Sequence, residues 1–236
     1  MNTRVISRLV VKDCSLMRVP IAAYTAAAFA GLILAAGGGA MGRGAGITLA
    51  LNVLIGVSFH VMLGPVLGER ERKTLAFVMS LPVTPREAAV AKLVSSFVLF
   101  LIPATVAATA LVFLSPVDVF NAMAASERSV LSHVLGWAGY YGLVLGAWVL
   151  FFSVVLAAAI VSESIGWTIA VLTGLLFVLG NFALQVAPSL GWVGRYFRDL
   201  ARAGPALSVT LLAEALGIVV VVVVMLALQG KKTSFV

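Results

Sequence analysis

A chain of 236 residues that is 62% hydrophobic and only 11% charged departs from soluble domains, which are nearer half apolar and a quarter charged. Exposing the surplus apolar surface to water would cost roughly 25 cal/mol per Å², so a soluble globular fold is excluded and the mean hydropathy of +1.13 implies a bilayer as solvent. The net charge of +7 then reads as membrane topology rather than affinity for nucleic acid, and the single cysteine, Cys14, leaves no internal disulfide framework or cysteine-based metal cluster.

Residues 2–18 come first in chain order. Arg4, Arg8 and Lys12 recur every four residues as one basic stripe, with Ile6, Leu9, Val10, Leu16 and Met17 largely opposite. That pattern predicts a separate helix lying in the membrane interface, its cations near anionic lipid. Six segments then approach the roughly 20 apolar residues a spanning helix needs: 19–36, 47–67, 93–114, 134–160, 165–186 and 206–228. The first is read as a retained span, because the amphipathic stretch before it is longer than the basic start of a cleaved leader. Of the 25 Lys, Arg, Asp and Glu residues, only Glu214 falls inside a proposed span. Such segregation follows from the cost of a charge at a helix centre, about 2.5–3.5 kcal/mol. The run Ile218 to Val224 is β-branched, but its long apolar context predicts a helix, since lipid demands internal backbone hydrogen bonds. The expectation is an all-α integral membrane protein: one transmembrane domain of six helices, with no internal repeat and no separate soluble domain.

Lysine and arginine counts in the short loops set the orientation. With the N-terminus inside, Arg4, Arg8, Lys12, Arg18, Arg70, Arg72, Lys73, Arg86, Lys92, Lys231 and Lys232 lie on the inner side, eleven in all, against five outside: Arg43, Arg128, Arg195, Arg198 and Arg202. Both termini are then cytoplasmic, which points to a multi-pass protein of a bacterial or archaeal plasma membrane. Residues 188–204 place Val193, Tyr196, Phe197 and Leu200 on one helical face and Arg195, Arg198, Asp199 and Arg202 on the other. This predicts an amphipathic or re-entrant helix at the outer face, with its arginines at headgroup level.

The inner loop 68–92 is longer than a turn requires. Glu69, Arg70, Glu71, Arg72 and Lys73 open it, an apolar piece from Leu75 to Leu81 follows, and Pro82 stops that piece. Thr84, Pro85 and Glu87 then form a helix start, with Thr84 as cap and Glu87 where a capping-box carboxylate belongs. An ordered, half-apolar cytoplasmic segment suggests a docking surface. Isolated polar residues within or near the spans (Asn52, Ser58, His60, Asn181, Gln185 and Glu214) are candidates for a translocation path or for interhelical hydrogen bonds. Small-residue stripes at Ala27, Gly31, Ala35 and Gly39, and at Gly142 and Gly146, predict close helix packing. Gly37, Gly39 and Gly42 match G-x-G-x-x-G formally, but they join two spans and are rejected as a nucleotide site. No phosphate-binding loop, metal spacing or Ser/His/Asp constellation is present in the sequence, so catalysis by this chain is not expected.

The string from Glu69, Glu71, Lys73, Thr74 and Leu75 through Ser80, Leu81, Pro82, Val83, Thr84, Arg86, Glu87 and Lys92 resembles the loop between the second and third spans of type-2 ABC exporter permeases. The predicted topology is similar along the whole chain; the motif covers about 25 residues. The resemblance implies a coupling helix, Glu69 to Leu81 (including Arg70, Arg72, Phe77 and Val78), seated against a separate ABC ATPase subunit. It implies a second, minor contact at the turn Ser162 to Gly166, with Glu163. It also implies a second permease copy, in a homo- or heterodimer, with ATP and magnesium on the partner and no cofactor in this chain. No large extracellular domain interrupts the chain, unlike some relatives. The alternatives are an ion-driven secondary transporter, for which only Glu214 is available as an intramembrane acid, and a non-transport membrane assembly protein.

Overall fold

The computed structural model describes residues 3–67, 84–113, 130–162, 169, 171, 174, 175 and 205–231. Among them are five long helices and no strand: α1 (Thr3–Gly37), α2 (Gly39–Val61, continued by a π turn Met62–Leu67), α3 (Pro85–Phe113), α4 (Val130–Ser162) and α5 (Pro205–Gly230). Each is long and apolar enough to cross a membrane, and the chain is a multi-pass membrane protein. The run Ile218 to Val224 lies in α5 as a helix.

Two boundaries differ from the sequence expectation. The basic N-terminal stretch is not a separate interfacial helix: α1 runs unbroken for 35 residues, with Pro20 inside it. Asp13, Met17, Ile21, Ala28, Gly31 and Ala35 are its buried residues, at near-helical spacing along one face, and packing on α3 and α2 carries that face through the expected break. Arg4, Arg8 and Lys12 are exposed, but so is Leu16, which was expected on the apolar side. The expected loop 37–46 is also absent, since α2 begins at Gly39 directly after Gly38. A Cβ on Gly38 or Gly42 would come within 2.8 Å of the Leu34 carbonyl oxygen, and Gly39 has φ +57°, so only glycine lets the chain reverse this tightly. Helix α3 begins at Pro85, where the predicted cap starts it. The fifth proposed span, 165–186, lies almost wholly outside the described residues, as do the coupling segment 69–81 and the outer element 188–204.

Side-chain contacts fix the directions of the helices. Gly31 abuts Gly46, Tyr24 lies on Gly56 and Met17 lies on Gly64, so α1 and α2 are antiparallel. Phe152 stacks on Phe100 at 4.2 Å and meets Phe97 edge-on; Tyr141 donates to the Thr105 carbonyl oxygen. Thus α3 and α4 are antiparallel as well. Between α4 and α5 the register advances together: Gly139 takes Leu207, Gly142 takes Leu211, Gly146 takes Glu214 and Gly217 takes Leu150. These two helices are parallel. The start of α1, the end of the π turn, the start of α3 and the ends of α4 and α5 therefore share one end of the bundle. The small-residue stripes serve as expected: a Cβ on Gly46 would lie 2.7 Å from the Gly31 carbonyl oxygen, so the backbones of α1 and α2 touch. The core runs through Val53, Leu54, Val57, Phe100, Phe152 and Leu156.

Candidate functional site

The shared end is where the chain's polar chemistry gathers. Thr84 precedes α3 and its backbone N–H donates to Glu87 Oε2 at 3.1 Å. The Glu87 N–H donates back to Thr84 Oγ1 at 3.3 Å, and the Thr84 hydroxyl also reaches Glu87 Oε2. This is the reciprocal capping box the sequence predicts, satisfying two orphan donors of the first turn. It fixes the start of α3. The end of α2 is held too: Met17 of α1 lies against Gly64 in the π turn. Pro65 has no amide hydrogen to give the helical ladder, a reason for the ladder to widen there.

Between these two points lies a buried ion pair. Asp13 of α1 has no exposed surface. Lys92 Nζ of α3 donates to both its carboxylate oxygens, at 3.2 and 3.0 Å, and Ser95 Oγ donates to Oδ2 at 3.0 Å. Lys12 Nζ stands 3.8 Å away on the exposed side. A buried carboxylate is tolerated only with such partners. Sequence reasoning missed this cluster, yet a signal existed. Asp13 is the only acid before Glu69, set within a run of basic residues, and Lys92 and Ser95 are three apart on one helical face. Beside it, Ser96 Oγ is buried with no hydrogen-bond partner among the described residues. At the same end Gln229 of α5 is buried and donates to the Ile160 carbonyl oxygen of α4 at 2.7 Å.

The polar span candidates do not converge. Asn52 is exposed and its amide donates to the Thr48 carbonyl oxygen one turn back. Ser58 is buried but bonds its own helix at Leu54. His60 is exposed and meets Tyr24 edge-on, with ring centroids 5.8 Å apart. Glu214 lies between α5 and α4, against Gly146. Asn181, Gln185 and Glu163, like Glu69, Arg70, Glu71, Arg72, Lys73, Thr74, Leu75, Phe77, Val78 and Leu81, lie outside the described residues. Compared with known proteins, the chain matches no family model, no curated protein and no solved structure.

Proposed function

We propose that the chain is the membrane-spanning permease subunit of a type-2 ABC exporter, moving substrate out of the cytoplasm or inner leaflet by alternating access. A separate ATPase subunit binds ATP and magnesium and supplies the energy, and a second permease copy completes the pathway. The observation that carries this reading is the anchoring of the segment 68–83 at both ends. On one side Met17 lies on Gly64; on the other the Thr84–Glu87 box and the Asp13–Lys92–Ser95 cluster bind the start of α3 to α1. A docking loop needs such footing, because force applied to it is delivered to helices only if its ends do not yield.

Two further features support the topology. Helix α4 ends at one end of the bundle and α5 begins at the other. That favours six crossings over five. Arg43 lies exposed at the end opposite Arg4, Arg8 and Lys12, in keeping with a cytoplasmic N-terminus and C-terminus under the positive-inside rule. A bacterial or archaeal plasma membrane suits these assignments.

The test is to extract the tagged chain gently from its host and identify what accompanies it. A stoichiometric soluble subunit with a phosphate-binding loop is the expected result, and Glu69→Ala or Leu75→Ala should then uncouple its ATP hydrolysis from transport. A chain that purifies alone and transports without ATP would overturn the assignment.

A further inference from the structure

Among the described residues, Glu214 is the ionisable group that packing does not explain. It lies three to four residues from the midpoint of α5, about 5 Å along the axis at 1.5 Å per residue, and is therefore central rather than peripheral in the span. Its Oε2 is sealed from solvent and has no hydrogen-bond partner among the described residues. The carboxyl occupies the space above Gly146, where a Cβ would collide with it. The neighbouring contacts on this face are Leu211 on Gly142 and Leu150 on Gly217, so the recess is apolar on both helices. Leu212 and Leu216, two residues away on the far side of α5, are exposed.

No charge in the described bundle compensates this group. Glu214 is the only ionisable residue of α5, and α4 carries only Tyr140 and Tyr141 in its described central part, both off the face formed by Gly139, Gly142, Gly146 and Leu150. Tyr141 donates instead to Thr105 of α3. The ionisable residues of α3 (Arg86, Glu87 and Lys92) all lie at its first turns, far from this depth. An ionised carboxylate without a partner in hydrocarbon costs several kcal/mol. A metal ion is no remedy, because calcium takes six to eight oxygen ligands and magnesium an octahedral set, and one carboxyl cannot supply them. Two ligands suit a single acceptor in an apolar recess: a proton, and a weakly hydrated organic cation.

We propose that Glu214 is a membrane-embedded binding site that holds a proton at rest and exchanges it for a lipophilic organic cation arriving from the lipid between α4 and α5. In the exchange the O–H bond breaks, the proton leaves to water at the membrane surface, and the carboxylate pairs with the cation. The recess is neutral before and after. The inference does not depend on an ATPase partner, since it concerns this chain's own carboxyl.

The test uses the full-length chain alone, reconstituted in lipid, and dicyclohexylcarbodiimide, which adds to protonated carboxyls in apolar surroundings. Peptide mass spectrometry should find the adduct on Glu214, and Glu214→Gln should abolish it while leaving the thermal unfolding profile in place. Tetraphenylphosphonium at ten times its Kd should slow labelling roughly tenfold, the factor 1 + [L]/Kd. Neutral triphenylphosphine oxide should not. No adduct on Glu214 overturns the proposal. So does labelling that tetraphenylphosphonium leaves unchanged, or that both compounds slow equally.

Discussion

Replacing Lys92 by methionine keeps most of the length of the side chain, one heavy atom short, and removes its charge. Asp13 would then stay buried with one hydroxyl bond from Ser95 and a distant Lys12, at 3.0 and 3.8 Å. Removing one partner of a buried pair costs about 3–5 kcal/mol, because the remaining charge is uncompensated. Lys92 keeps 17% of its side chain exposed and Lys12 can move closer, which places the expected loss at the lower end, about 3 kcal/mol. For a chain of 150–250 residues each kcal/mol shifts Tm by about 2–4 °C, so Lys92→Met should lower it by roughly 6–12 °C in a mild detergent. The companion Asp13→Leu, Lys92→Met double variant removes both charges and should recover most of that loss, since apolar replacement of a whole buried pair is often close to neutral. Differential scanning fluorimetry on Lys92→Met, the single Asp13→Leu and the double variant decides the matter. A shift below about 2 °C for Lys92→Met, or a double variant as unstable as the two singles summed, would show that the pair is not the buried, coupled unit described above.

Thr84→Ala should cost about 1 kcal/mol, the usual price of an N-cap, with faster amide hydrogen exchange in the first turn of α3 and rescue by Thr84→Ser. Gly46→Ala should destabilise by about 1–3 kcal/mol, since the new methyl meets the Gly31 backbone and the helices must part. Gly44→Ala, where nothing lies within 4 Å, should be neutral or stabilising by up to about 1 kcal/mol; equal Tm values for the two variants would refute the close approach. Ser96→Ala should stabilise by up to about 1 kcal/mol by removing a buried, unpaired hydroxyl. In a Cys14→Ser background, single cysteines at Arg4 and Lys231 should react with an impermeant maleimide from the same side of sealed vesicles and one at Arg43 from the other, with any other pattern contradicting the arrangement of ends.

Much of the fold was legible because lipid imposes simple rules. Charge segregation marked the helices, the β-branched run Ile218 to Val224 fell into α5, and Thr84 and Glu87 formed their cap. These signals are local: a hydropathy window, or residues three apart. What escaped depends on partners distant in sequence. The α1 helix passes the expected break near Arg18 because Asp13, Met17 and Ile21 share a face that other helices bury. Asp13 itself looked like one more member of a charged N-terminal stretch, and only folding brings Lys92, 79 residues away, against it. The glycines at 37–42 carried a misleading motif, and their purpose became clear once Gly38 and Gly42 were seen against the Leu34 carbonyl. Asn52 and Ser58 are polar in sequence but are satisfied by carbonyls one turn back, which removes the need for an interior partner.

The unequal burial of the helices connects the two polar features. The apolar stretch of α3 is half buried, whereas that of α5 is 6% buried. Helices α1, α2 and α3 close on one another through backbone contacts, an ion pair and aliphatic packing. Among the described residues α5 is held chiefly by α4, through the glycine face and the Gln229–Ile160 hydrogen bond. Asp13 is thus placed where the structure is most constrained, and its charge is matched in place. Glu214 is placed on the helix that the core constrains least, and its buried oxygen has no matching group among the described residues. A carboxyl that gains or loses charge needs its surroundings to adjust, and α5 is the least buried of the five helices. The same chain therefore pairs a tightly packed end, where a buried charge is matched, with a less buried helix that carries the unmatched carboxyl.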